Sequence, residues 1–391
     1  MPDKRWLILG VLFLVRFVLG FQFQTVGSVA PFLVNDFGVD YAGIGLLVGL
    51  FILPGLVLSV PSGFVAQRLG DKPMVLGGLA LMLAGGLVAG LAQDYDAVVA
   101  GRVISGAGAA LLSVLLTKML TDWFAGEGLF VAMAVFTIGW PVGIAAGQAL
   151  QTPLALAASW QAVFLVSAVA GLVAMVAVAL VYAPAPSGEG PAGEDGPARL
   201  SRRELALVTL TGIAWMFING GYFVLVSFAP TYLVERGADV EVAAGTVSLM
   251  SWVFIVSMPL GGYLATRFGL ANQLLFGGLI GTVLVGGLIP FTDWVAVSFL
   301  LFGVFFAFCG PVVAALPAQV LKVRNRGPGF GIYYIWYFLG TALLPVAAGA
   351  LVDGTGTAAS AVLFGAGMML ATLVLVIVFR VAQGRGESAT A

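Results

Sequence analysis

Residues 63–70 read Gly63-Phe64-Val65-Ala66-Gln67-Arg68-Leu69-Gly70, and residues 262–269 read Gly262-Tyr263-Leu264-Ala265-Thr266-Arg267-Phe268-Gly269. Glycine, alanine, arginine and glycine fall at the same places in both. An offset of 199 residues, position 63 to position 262, relates them. The same offset pairs Ser28-Val-Ala-Pro31 with Ser227-Phe-Ala-Pro230, and Asp94-Tyr95 with Asp293-Trp294. One gapless offset at three separate places marks an internal repeat. The chain therefore reads as two copies of one structural unit.

The solvent of that unit follows from composition. Of 391 residues, 61% are hydrophobic and 9% charged. Soluble domains carry about 25% charged residues, so this chain has far too little polar surface for water, and a bilayer suits it. Apolar runs fall at 6–34, 41–66, 73–93, 97–120, 129–151 and 158–182, then at 205–233, 242–266, 271–291, 294–320, 329–352 and 358–382. Each is long enough to span, since a crossing helix needs about 20 residues. The first run exceeds a signal-peptide core and contains Arg16, Gln22 and Gln24, so it reads as a spanning helix. The polar, Pro/Gly-rich stretch 183–203 reads as a cytoplasmic linker between an N-terminal six-helix bundle, 1–182, and a C-terminal one, 204–391.

Orientation comes from the cations. With the N-terminus inside, Lys4, Arg5, Arg68, Lys72, Lys118, Arg199, Arg202, Arg203, Arg267, Lys322, Arg324, Arg326, Arg380 and Arg385 all fall on the cytoplasmic side. Only Arg236 falls outside, and Arg16 and Arg102 lie within runs. Both termini are then cytoplasmic. Six helices per copy give both copies the same orientation, the parallel repeat of a secondary transporter. The expected fold is all-α: twelve transmembrane helices as two pseudo-symmetric bundles.

The loop Gly63-Phe-Val-Ala-Gln67-Arg68-Leu-Gly70-Asp71-Lys72 resembles the signature between the second and third helices of the major facilitator superfamily. It departs from it at Gln67, where the family usually has Asp, and at Asp71, where a basic residue is common. Asp122, at the cytoplasmic end of the fourth run, is the expected substitute partner for Arg68. The run Gly101-Arg102-Val-Ile-Ser105-Gly106-Ala-Gly108 resembles the family's fourth-helix motif. Arg102 reads either as snorkelling toward Asp94, Asp96 or the outer surface, or as a coupling residue. Gly139-Trp140-Pro141-Val-Gly143 and Gly147 form a glycine–proline fifth helix of the kind found in the family's antiporters and anion carriers; packing and bending explain it on their own. Residues 122–164 resemble the cyanate-permease and nitroimidazole branch. The resemblance implies a plasma-membrane, multi-pass, alternating-access carrier.

Arg16 lies about ten residues into its run, roughly 15 Å deep at 1.5 Å per residue. An ionisable group at that depth marks function by default. Arg16, Gly20, Phe23 and Gly27 share one helical stripe, with Gln24 beside it. The offset maps Arg16, Gly20 and Phe23 onto Trp215, Asn219 and Tyr222. In the family's fold these two stripes are expected to line a cavity, cationic on one side and aromatic with an amide on the other. Tyr333 and Tyr337 in the eleventh run add to the wall. A guanidinium offers an anion a two-pronged donor, and no carboxylate lies deep in any run to neutralise it.

The partners expected are a small anionic solute and the lipid bilayer, for a monomer that binds no nucleic acid, metal or cofactor. The chain has no histidine and one cysteine, Cys309, so a membrane-embedded enzyme is a remote alternative. A drug/proton antiporter exporting lipophilic compounds is the nearer one. Without a deep carboxylate or imidazole, proton coupling would fall to Asp36, Asp40 or Glu235 near the outer mouth, or to the substrate itself.

Overall fold

A computed structural model describes residues 2–39, 41–125, 128–185 and 199–387. Residues 186–198 of the expected linker, and Asp40, lie outside the described residues. The described residues are helical throughout: α1 Pro2–Phe37, α2 Tyr41–Ile52, α3 Pro54–Leu69, α4 Asp71–Gly90, α5 Tyr95–Trp123, α6 Leu129–Ala157, α7 Trp160–Val181, α8 Arg202–Glu235, α9 Val240–Trp252, α10 Phe254–Arg267, α11 Ala271–Leu288, α12 Val295–Ala315, α13 Arg326–Thr355 and α14 Ala359–Glu387, with three short 3₁₀ turns. Twelve stretches among them are long and apolar enough to cross a membrane.

The second and eighth runs differ from the single helices expected. Each is broken once, at Leu53 and at Val253. At the first break Pro54 opens α3, and its missing N–H and fixed φ account for the interruption. The helix ends are set by ordinary capping chemistry. Asp94 accepts from the Ala97 amide at 2.8 Å and Ser159 from the Ala162 amide at 3.2 Å. Ser201 and Glu204 form a reciprocal capping box. Gly70 and Gly269, the last glycines of the repeated motif, sit at φ 86° and 66°, a turn that a side chain would strain.

Outward faces carry bare aliphatic side chains, such as Val57, Leu156 and Leu180. In water such faces would be unstable; against lipid they are ordinary.

By internal contacts the chain forms two compact units. The first comprises Met1–Ala125, Val135–Arg199 and Val323–Tyr334; the second comprises Gly126–Ala134, Leu200–Lys322 and Ile335–Ala391. The two transferred segments, 126–134 and 323–334, correspond under the 199-residue offset to within two residues. In the first unit Gly63 packs on Gly327, where a methyl on either would strike the other's backbone. In the second, Gly262 meets Phe130, Val131 and Ala134 just as closely. The repeated glycine thus has the same job twice: it lets a helix start lie directly against α3 or α10.

Candidate functional site

The polar end of the first unit is a chain of charges. Asp71 and Lys118 pair at 2.5 Å, Lys118 and Asp122 at 3.1 Å, and Asp122 and Arg326 at 2.6 Å. This corrects the expected Arg68–Asp122 pair. Both Asp122 oxygens are already engaged by cations, and Arg68 is exposed. Gln67, in place of the usual acid, donates instead to the Arg324 carbonyl at 2.5 Å. Lys72 donates to the Ala179 and Tyr182 carbonyls at 2.7 and 2.9 Å, closing the C-terminus of α7. In the second unit Gly262 makes the close contact described above, and Arg267 is exposed.

Arg102 does not snorkel. It is 1% exposed and turns inward, not toward Asp94 or Asp96. Its Nε donates to the Leu47 carbonyl at 3.0 Å, Nη1 to the Gln22 carbonyl at 3.1 Å and the Thr25 hydroxyl at 3.3 Å, and Nη2 to the Phe23 carbonyl at 3.4 Å. Its Cζ lies 4.5 Å from the centre of the Phe51 ring. The small-residue face of α5 lets this happen. Gly101 lies against Gly85 and Ala89, and Gly106 against the Leu50 and Phe51 backbone.

Arg16 has the opposite surroundings. It is 8% exposed, and among the described residues it makes no hydrogen bond or ion pair; its Nε is a buried donor without an acceptor. Its Cζ lies 5.2 Å from the Phe136 ring centre and 5.3 Å from that of Trp140. Tyr333 is fully buried and packs edge-on against Phe330 and Tyr334, ring centres 6.1 and 5.4 Å apart. Phe23 joins the group through Trp140, ring centres 5.4 Å apart. Gln24 is displaced along α1: its amide donates to the Ser28 hydroxyl at 3.5 Å, and its Cβ lies against Gly147.

The glycines of α6 explain the assembly. Gly139, Gly143 and Gly147, one turn apart, each abut α1: Gly139 meets Arg16 and the Phe13 carbonyl, Gly143 the Phe17 and Phe21 backbone, and Gly147 Gln24. Gly20 meets the Trp140 carbonyl in return. Pro141 lies within α6 beside this contact, where it removes one backbone donor. Close approach brings the Trp140 and Phe136 rings onto the guanidinium. Reading the sequence missed both rings; the i, i+4, i+8 spacing of the three glycines was the signal for a helix pressed against α1, and Trp140 follows the first of them.

The second unit holds Trp215, Asn219, Tyr222 and Tyr337. Trp215 and Asn219 are adjacent on α8, the Asn219 amide donating to the Trp215 carbonyl at 2.8 Å. Tyr222 lies apart from them in an aromatic cluster, with ring centres 5.5 Å from Phe254 and 5.2 Å from Phe306, and its hydroxyl is 2.8 Å from that of Ser251. Tyr337 packs edge-on against Phe338, ring centres 5.3 Å apart. Asn219 and Tyr222 thus each have a partner within the second unit.

The carboxylates Asp36 and Glu235 are tethers. Asp36 accepts from the Trp160 indole at 2.7 Å. Glu235 accepts from the Ala358 amide at 3.0 Å and the Thr357 hydroxyl at 2.9 Å, capping α14. The two residues are equivalents under the repeat.

Twelve apolar spans and an internal repeat are the features of a membrane carrier. The family model for the Major Facilitator Superfamily matches residues 12–296 and 246–390, and the chain belongs to that family. It is a multi-pass membrane protein and a solute transporter, with the plasma membrane the location the family implies. The chain is 25% identical to the hexuronate transporter of Bacillus subtilis (strain 168), over 96% of this chain and 94% of that one. It is 27% identical to the 3-(3-hydroxy-phenyl)propionate transporter of Escherichia coli (strain K12), over the same shares. It is 23% identical to the probable sulfoacetate transporter SauU of Cupriavidus necator, over 90% and 88%. Among solved structures it resembles the transporter FucP in its outward conformation, TM-score 0.79 at 16% identity, covering 96% of this chain and 99% of that one. It also resembles the proton:xylose symporter XylE, TM-score 0.75 at 13% identity, covering 95% of each.

Proposed function

We propose that the protein moves a small organic anion across the membrane by alternating access, with Arg16 as the anion anchor. One observation carries this: the Arg16 guanidinium is buried without a hydrogen bond or ion pair among the described residues. Burying a guanidinium costs several kcal/mol. Its two ring contacts return about 1–2 kcal/mol each, which leaves a deficit that a bound anion would cover. The relatives support the reading, since those named above carry hexuronate, a hydroxyphenylpropionate and, by its name, sulfoacetate.

Phe23, Gln24 and Tyr333 are proposed as further contacts near the anchor. Trp215, Asn219, Tyr222 and Tyr337 are proposed as substrate contacts contributed by the second unit. The chain is proposed to act as a monomer with both termini cytoplasmic, and to divide into bundles at 1–182 and 204–391 about the linker. Export of lipophilic cations is disfavoured, because the ionised group in this interior is positive. The glycine-rich α6, which first suggested an antiporter, is accounted for by its packing on α1.

Thermal unfolding of the purified chain with panels of carboxylates, inorganic anions and lipophilic cations tests the reading. A ligand of the folded state raises the midpoint by mass action. Carboxylates should raise it for the wild type and not for Arg16→Gln. Stabilisation by cations alone, equal in both proteins, would refute the anchor.

A further inference from the structure

The walls around Arg16 narrow the class of anion. We infer that the substrate is an aromatic monocarboxylate: its carboxylate held by Arg16 together with the Trp140 indole N–H, its ring lying among Trp140, Phe136 and Phe23. The inference rests on the anion reading above and sharpens it.

Charge sets the first limit. Arg102 is the other arginine deep within a span, and each of its nitrogens already donates to a carbonyl or hydroxyl. Arg16 therefore offers one positive charge. A monoanion balances it, whereas a dianion would leave an unmatched negative charge in a medium of low dielectric.

Hydrogen bonding sets the second. Trp140 Nε1 is, like Arg16 Nε, a buried donor with no acceptor among the described residues. The guanidinium lies over the same indole, so the two unpaired donors belong to residues in contact. A carboxylate has two oxygens and accepts from both. A sugar acid would also need partners for several hydroxyls. The side chains packed on the guanidinium are the rings of Phe136 and Trp140, with Phe23 beyond Trp140, and none of the three carries a hydrogen-bond acceptor.

Shape and surface set the third. Phe136 and Trp140 lie on the guanidinium, and Phe23 lies 5.4 Å from Trp140 and 5.8 Å from Phe51, centre to centre. A planar π-face packs on such walls better than a saturated ring of the same size.

The test compares benzoate, cyclohexanecarboxylate, glucuronate and sulfoacetate on the full-length purified chain by calorimetry. The wild type should bind benzoate about fivefold more tightly than cyclohexanecarboxylate, which has the same charge without the π-face. It should bind glucuronate and sulfoacetate more weakly still. Trp140→Phe deletes the N–H while keeping an aromatic side chain, and should weaken benzoate about tenfold. An unaltered benzoate affinity in Trp140→Phe would overturn the indole contact. Tighter binding of glucuronate or sulfoacetate than benzoate, abolished by Arg16→Gln, would overturn the aromatic class and leave the anion anchor standing. Binding of none of the four, or binding unaffected by Arg16→Gln, would overturn both.

Discussion

Arg102 is the sharpest test of the first unit's internal logic. Four hydrogen bonds run from its guanidinium to α1 and α2, at 3.0–3.4 Å. Bonds from a charged donor contribute about 1.5–3 kcal/mol each, so the gross interaction is at least about 6 kcal/mol. Two offsets apply when the side chain is removed. The Gln22, Phe23 and Leu47 carbonyls lie inside helices and keep backbone partners. The several kcal/mol spent on burying the cation are also recovered. Arg102→Met should therefore destabilise the protein by only about 3 kcal/mol. Arg102→Lys should be worse, near 4–5 kcal/mol, because it keeps the buried charge while losing the planar fork that reaches two helices at once.

In a chain this long, 1 kcal/mol moves the melting point by roughly 2 °C. Thermal unfolding in detergent should show losses of about 6 °C for Met and about 8–10 °C for Lys. The order is the diagnostic feature. A lysine variant as stable as wild type would mean that charge alone matters, and the bonded geometry would be irrelevant. Losses under about 2 °C in both would mean that the four bonds contribute nothing net.

Three other outcomes follow from contacts of the same kind. Gly143→Val should separate α6 from α1, because its Cβ would meet the Phe17 and Phe21 backbone; a cost of about 3 kcal/mol and loss of anion-induced stabilisation are expected, and retained ligand response would refute the packing role. Asp122→Asn leaves Arg326 without its ion-pair partner and Lys118 with Asp71 alone; discounted for partial exposure, about 1–3 kcal/mol should be lost, against no change for Arg68→Gln, and the reverse pattern would restore the pair expected from sequence. Glu235→Gln and Asp36→Asn each keep an acceptor oxygen, so they should cost under about 1 kcal/mol and leave the pH profile of uptake into proteoliposomes unshifted; a displaced profile would make these carboxylates proton carriers.

Most of the fold was legible because bilayer physics leaves a strong imprint. Length, apolar runs, cation placement and a gapless repeat each constrain the helix count independently. Side-chain partners were less legible, since they depend on which helices touch. The Arg68–Asp122 pair was inferred from position along the chain. It failed because Arg326, more than 200 residues from Asp122 in sequence, reaches that carboxylate first. Trp140 was overlooked for a related reason. Its importance lies in a neighbour on another helix, and only the glycine spacing of α6 hinted at that contact.

Arg16 and Arg102 show why the residue type alone does not locate a site. In sequence they are alike: one arginine each, inside an apolar run. Arg102 meets carbonyls because glycines on α5 admit the backbones of α2 and α4, and its charge is consumed in holding α1 and α2 together. Arg16 meets rings because the glycines of α6 admit Trp140 and Phe136 instead, and rings attract a cation without accepting its hydrogen bonds in the plane of the fork. The first arginine is structural because its donors are filled. The second is the one proposed above to take a ligand, because its buried Nε has no acceptor among the described residues. The distinction is made by small residues on neighbouring helices, so exchanging the surroundings should exchange the roles more readily than moving the arginine.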